Sequence, residues 1–297
     1  MRYFIFVGAN RCLSSRSRNI LSNLSKFLLA ILAVFMVLSC QSQAVLDKNQ
    51  IKILLPLYSY PNWYEPENYI WQKVVLAADQ VPIVAIINPH NGPDAKPPNQ
   101  DYERGLKDLR QSNVSILGYV YTKYGDRPIE EVQQDVDIYG KYYDVNGIFL
   151  DESAGNVQQL DYYQEIYNYI KTKTNLDQVV INPGTHINEA YLTYSTADTA
   201  VIFEDYSEAW KQYQPRTYLE RYQSKRFASL IHSVPDSATM RSYIDMAVVR
   251  NIGYVYVTDD SPSSNDGDPW NSLPSYWQDE IDYIQSLTNN ASDVQGK

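Results

Sequence analysis

Residues 147–152 read Gly-Ile-Phe-Leu-Asp-Glu, a small and apolar run that passes straight into two adjacent acids. A strand that is apolar on both side-chain parities is buried on both faces, as in a parallel sheet covered by helices. Seven further short runs of this kind lie outward from it, at 51–57, 83–88, 114–121, 179–182, 200–204, 227–232 and 253–258. The first five of the eight begin 32, 31, 33 and 32 residues apart, the length of a strand, a crossover helix and two loops. Between them, 67–79, 101–111, 129–143 and 158–172 carry apolar residues at helical spacing. Pro128 stands where a helix start tolerates proline, and Asp236 and Ser237 offer caps ahead of 240–249. Eight such units in about 250 residues predict an α/β fold of one domain, a closed (β/α)8 TIM barrel. An open doubly wound sheet competes, but no Gly-x-Gly-x-x-Gly follows any run.

The chain has 297 residues, 44% hydrophobic and 20% charged, enough to bury a full core. Residues 1–40 hold Arg2, Arg11, Arg16, Arg18 and Lys26 and no acid. Taking those five from the 25 basic side chains leaves 20 against 35 acidic, a net charge of −15 over the other 257 residues. A body that acidic repels phosphate backbones, so nucleic acid is not an expected partner. The 27 tyrosines are the compositional oddity; each joins a flat apolar face to a hydroxyl.

The basic stretch leads into a twelve-residue apolar run, 27–38. As a helix it would rise roughly 18 Å, short of a hydrocarbon core of about 30 Å. It reads as the apolar region of a bacterial-type secretory signal. Val37-Leu38-Ser39-Cys40 resembles a lipoprotein signal, whose cysteine becomes the lipid-bearing first residue. Ser42-Gln43-Ala44 is a rival cleavage site that would release a soluble protein. The expected layout is a signal over 1–40, a linker over 41–50, a catalytic domain over 51–288 and a flexible tail over 289–297. The protein is expected to be exported, a monomer, and in contact with a membrane only through a lipid on Cys40. Cys12 and Cys40 are the only cysteines, so the body has no disulfide and no thiolate nucleophile.

In such barrels the chemistry sits on loops at the C-terminal strand ends. Here those ends offer Tyr58 and Tyr60, Asn88, Tyr119 and Tyr124, Asp151 and Glu152, Asn182, Glu204 and Asp205, and Asp259 and Asp260. Aromatic faces and amides suit sugar rings, and cleavage of a glycosidic bond needs two carboxylates flanking it. An adjacent acid pair straight after a buried strand needs a reason, which favours Asp151 and Glu152. The loop 259–268, rich in Asp, Ser, Asn and Pro, reads as a solvated turn rather than a metal site. His90, His186 and His232 lie far apart and form no His-x-x-x-His pair, so no zinc is expected. Tyr162, Tyr163, Tyr167 and Tyr169 lie on a helix and read as packing.

Six segments together resemble the spherulin-4-like family, also called spherulation-specific family 4. They are LPLYSYP at 55–61, INPHNGPD at 87–94, LGYVYTKYG at 117–125, GIFLDE at 147–152, INPG at 181–184 and the Phe-Glu pair at 203–204. The sequence departs from the usual family pattern at His90 and Asp94, on a rim loop. The resemblance implies a (β/α)8 barrel and a glycoside hydrolase that cuts α-1,4-linked galactosamine/N-acetylgalactosamine exopolysaccharide. It places the acidic trio on Asp151, Glu152 and Glu204.

The expectation is an endo-acting hydrolase with Asp151 as nucleophile, Glu204 as general acid/base and Glu152 orienting or tuning one of them. Burial or a neighbouring charge should keep Glu204 protonated near neutral pH. Tyr58, Tyr60, Asn88, Tyr119, Tyr124, Asn182, Asp205 and Asp259 are the expected substrate-binding residues. No cofactor and no metal are expected, because carboxylates and water suffice. A surface lipoprotein that binds carbohydrate without cutting it is the alternative. A structural coat-like role is suggested only by the family's name.

Overall fold

The computed structural model describes residues 51–94, 96–264 and 267–293, of which 290–293 by backbone alone. The expected signal, the linker and Cys40 lie outside the described residues. Eight parallel strands form a closed barrel in sequence order: β1 Lys52–Leu57, β2 Ile83–Ile87, β3 Val114–Tyr121, β4 Gly147–Asp151, β5 Gln178–Ile181, β6 Thr199–Tyr206, β7 Phe227–His232 and β8 Tyr254–Val257. The ring closes where Lys52 and Ile53 pair with Tyr254 and Val255. The (β/α)8 TIM barrel expected from the spacing is the fold.

The outer layer is α1 Ile70–Ala77, α2 Gln100–Arg110, α3 Ile129–Ile138, α4 Leu160–Lys171, α5 Ala190–Thr193, α6 Ser207–Gln212, α7 Ser237–Val249 and α8 Trp277–Asp293. Their starts follow local chemistry. Asn99 accepts a hydrogen bond from Tyr102 N at 3.0 Å ahead of α2, and Asp236 accepts one from Thr239 N at 2.8 Å ahead of α7. The helical run expected over 129–143 changes winding midway: α3 passes into a π turn, Tyr139–Tyr143, that ends on Asp144 in a left-handed conformation. The last helix continues to Asp293, beyond the expected domain end at 288.

Strands β2 and β7 are buried at every position, which matches apolar residues on both parities. The helices bury one stripe each, such as Val132 and Val136 on α3 and Tyr163, Ile166 and Ile170 on α4. Around β6 the regularity gives way. That strand pairs with β5 at two positions, Val180 with Thr199 and Ile181 with Ala200, and its register with β7 shifts between Val201 and Phe203. Irregular pairing of this kind re-aims side chains at a barrel rim. The strand runs to Tyr206, two residues past its expected end at 204, so Glu204 sits within the strand rather than on a loop.

Candidate active site

Asp151 is the last residue of β4, and Asn182 follows β5 directly. Leu150 pairs with Ile181, so the next residue on each strand, Asp151 and Asn182, stand side by side. Asn182 is 7% exposed, and its Nδ2 donates to Asp151 Oδ1 at 2.7 Å and to Glu204 Oε2 at 2.5 Å. Its Oδ1 accepts from Gly184 N at 3.0 Å, which fixes which end of the amide faces the acids. Gly184 turns the chain there with φ 62, and its carbonyl accepts from Glu204 N at 3.0 Å. One amide therefore ties two carboxylates from different strands.

Asp151 has a second fixed partner: Tyr119, on β3 and 5% exposed, donates its hydroxyl to Oδ2 at 2.7 Å. Tyr58 stands edge-on behind Tyr119, with ring centroids 5.8 Å apart. Burial raises the Asp151 carboxyl above its ordinary value of 3.8, although the donors Tyr119 and Asn182 and the Glu152 N–H act the other way. Glu204 is raised as well, from 4.5 to about 7, by burial first and then by the Asp151 charge; hydrogen bonds from Asn182 and Trp270 oppose the rise. Both carboxyls are raised, and Glu204, at about 7, is suited to holding a proton near neutral pH.

The pair opens into a cleft of about 450 Å³, lined also by Tyr124, Glu152, Pro183, Gly184, Asp205, His232 and Trp270. Glu152 is exposed in the cleft wall with φ 47, an unusual conformation for this residue type that functional sites tend to retain. Its carbonyl is held by Tyr124 N at 2.6 Å and Thr122 Oγ1 at 2.9 Å. Tyr124 lies 60% exposed on the rim.

Of the expected binding residues, Tyr119, Tyr124, Asn182 and Asp205 come together around Asp151 and Glu204, and Tyr58 backs onto them. Three do not. Tyr60 gives its hydroxyl to Asp101 at 2.7 Å and lines a neighbouring cavity. Asn88 accepts from Gly92 N at 3.0 Å and so closes its own turn. Asp259 binds the backbone and hydroxyl of Ser275 ahead of α8, and Asp260 accepts from Ser272 at 2.6 Å. These two acids are ties for the last helix, which corrects the placing of Asp259 on the binding wall.

Two rings of the cleft, His232 and Trp270, were not among the expected binding residues. His232 ends β7, so the strand-end rule that flags Asp151 reaches it as well. Its ring meets Tyr206 at 4.4 Å and Trp270 at 5.7 Å, and burial lowers its pKa. Trp270 lies on the long loop after β8, where no periodicity marks its direction. Among the described residues no group of three or more His, Cys, Asp and Glu side chains could hold a metal ion, and no helix is long and apolar enough to cross a membrane.

A closed parallel barrel with two coupled carboxylates on its C-terminal rim is the layout on which barrel enzymes carry their chemistry. The chain belongs to spherulation-specific family 4, whose model matches residues 52–284. It is 34% identical over 247 residues to spherulin-4 of Physarum polycephalum, covering 80% of this chain and 71% of that one. The crystal structure of Aspergillus clavatus Sph3 in complex with GalNAc superposes with a TM-score of 0.67 at 26% identity, over 80% of this chain and 98% of that one.

Proposed function

We propose that this protein is an exported glycoside hydrolase that cuts α-1,4-linked galactosamine/N-acetylgalactosamine polysaccharide within the chain. The observation that carries the reading is the single Asn182 nitrogen that holds Asp151 and Glu204 together, with Glu204 raised to about 7. The GalNAc bound in the Sph3 structure supports the sugar class. The N-terminal signal pattern supports export.

In this reading the protonated Glu204 gives its proton to the leaving glycosidic oxygen as the bond to the anomeric carbon breaks. Asp151 attacks that carbon from the other face and forms a glycosyl ester. Water then displaces Asp151, giving a proton to the now ionised Glu204, and both residues return to their starting states. The near oxygens of the pair lie 2.7 and 2.5 Å from one nitrogen, so they are at most 5.2 Å apart, the sum of the two. That spacing favours the retaining geometry, about 5–5.5 Å, over the inverting one of about 6.5–9.5 Å. Tyr119 and Asn182 position the acids, Glu152 tunes the wall beside them, and Tyr124 and Asp205 face the sugar. No metal or cofactor enters the scheme, so a chelator should leave activity intact.

The test is incubation of the purified protein with acetylated and deacetylated galactosamine polymers, with products read by mass spectrometry. Oligosaccharides of mixed length with new reducing ends are expected. A polymer retained on the protein without new reducing ends would make it a binding protein instead.

A further inference from the structure

The loop between β1 and α1 carries three large rings that the barrel does not bury: Tyr60, Trp63 and Tyr64 are 44%, 44% and 54% exposed. Clustered exposed rings point to a binding surface. These are also held in place. Asp101 on α2 accepts from the Tyr60 hydroxyl at 2.7 Å with one oxygen and from Trp63 Nε1 at 2.9 Å with the other. Tyr60 stands edge-on to Tyr102 and Trp63 edge-on to Tyr64, at centroid distances of 5.6 and 5.9 Å. Rings fixed before binding lose little freedom when they meet a ligand.

Beside the rings is a cavity of about 540 Å³ with Tyr58, Tyr60, Asn62, Tyr64 and Asn68 in its wall. Ser59 lines it as well. The cavity adjoins the catalytic cleft. Tyr58 lines it and packs on Tyr119, the donor to Asp151, while Asn271 of its wall follows Trp270 of the cleft in the chain.

We infer that this loop is a second glycan subsite, which holds a stretch of the polysaccharide outside the cleft while another stretch is cut. The inference rests on the reading that the cleft takes a glycan. Apolar C–H faces of the sugars would lie on Trp63 and Tyr64, and hydroxyl or acetamido groups would meet Asn62 and Asn68. A chain gripped at two places is bound more tightly than at either, provided it is long enough to span both.

The test uses the Glu204→Gln chain, which on the proposed mechanism should bind without cutting, alone and combined with Trp63→Ala and Tyr64→Ala. Affinity for the galactosamine polymer is measured by electrophoresis through gels containing it. Loss of the rings should weaken polymer binding about tenfold, the scale of an aromatic anchor. In the cleaving chain, the same ring substitutions should reduce kcat/KM on the polymer more than on a trisaccharide, chiefly through KM. Equal polymer affinity with and without the rings overturns the subsite while leaving the hydrolase reading intact. Ring-dependent binding by a protein that cuts no galactosamine polymer supports the subsite and removes the hydrolase reading. An absence of polymer binding in all variants overturns both.

Discussion

Asn182 presents one amide nitrogen to two carboxylates, and its removal should be felt by both. Its hydrogen bonds lower the pKa of Asp151 and of Glu204, against the burial that raises them. The wild-type pH profile should therefore be a bell. The basic limb falls as Glu204 deprotonates near 7, and the acidic limb lies above 3.8, where the raised Asp151 takes up its proton. Asn182→Ala should move both limbs to higher pH and reduce kcat on the order of 10²-fold, the cost of a lost charge-stabilising donor. A drop in rate with unmoved limbs would show that Asn182 serves only to hold the substrate. At this scale residue type and strand end were legible in the sequence, but not the partner each side chain meets. Asp151 and Glu204 end in the cleft, whereas Tyr60, Asn88 and Asp259, of equally suitable type, spend their polar atoms on Asp101, Gly92 and Ser275. Strand position alone does not show which use a side chain finds.

Strand β4 delivers Asp151 to the rim, and its first residue explains why the motif begins with glycine. A Cβ on Gly147 would lie 2.1 Å from the Gln178 carbonyl oxygen on β5, a backbone atom with no rotamer to yield. Gly147→Ala should force the two strands apart and cost about 3 kcal/mol or more, the upper end of overpacking penalties. Thermal unfolding would show it, and a melting temperature equal to wild type would mean that the strands part freely. The strands could be read from the sequence because both parities are apolar and their spacing repeats. The exceptions have physical causes. After the register shift between Val201 and Phe203, β6 continues past Glu204 because Asp205 and Tyr206 still pair with Ile231 and His232 of β7, and the loop carrying Trp270 has no period to read.

Across the whole molecule, α8 seals the barrel beside β8 and brings an acid with it. Glu280 is fully buried; its Oε1 accepts from Val257 N at 3.2 Å, and its Oε2 has no partner. Burial raises its pKa well above the ordinary 4.5 and so favours the neutral form in the folded protein. A raised folded-state value means that its contribution is present at acid pH and is lost as pH rises from about 4.5 through the folded value. Glu280→Gln keeps the acceptor and does not titrate, so its stability advantage over wild type should widen between pH 5 and pH 8. A gap that stays constant with pH would mean that Glu280 is ionised in the folded protein as it is in the unfolded chain. The family resemblance read from six short segments anticipated the barrel, and the family model's match over 52–284 agrees with it. The measurement that tests the central claim most directly is the rate of reducing-end release from galactosamine polysaccharide by wild type, Asp151→Asn and Glu204→Gln. Each substitution should lower that rate by on the order of 10³-fold or more while leaving polymer binding in place. Near-wild-type release by either variant would contradict the assignment of that carboxylate to the cut.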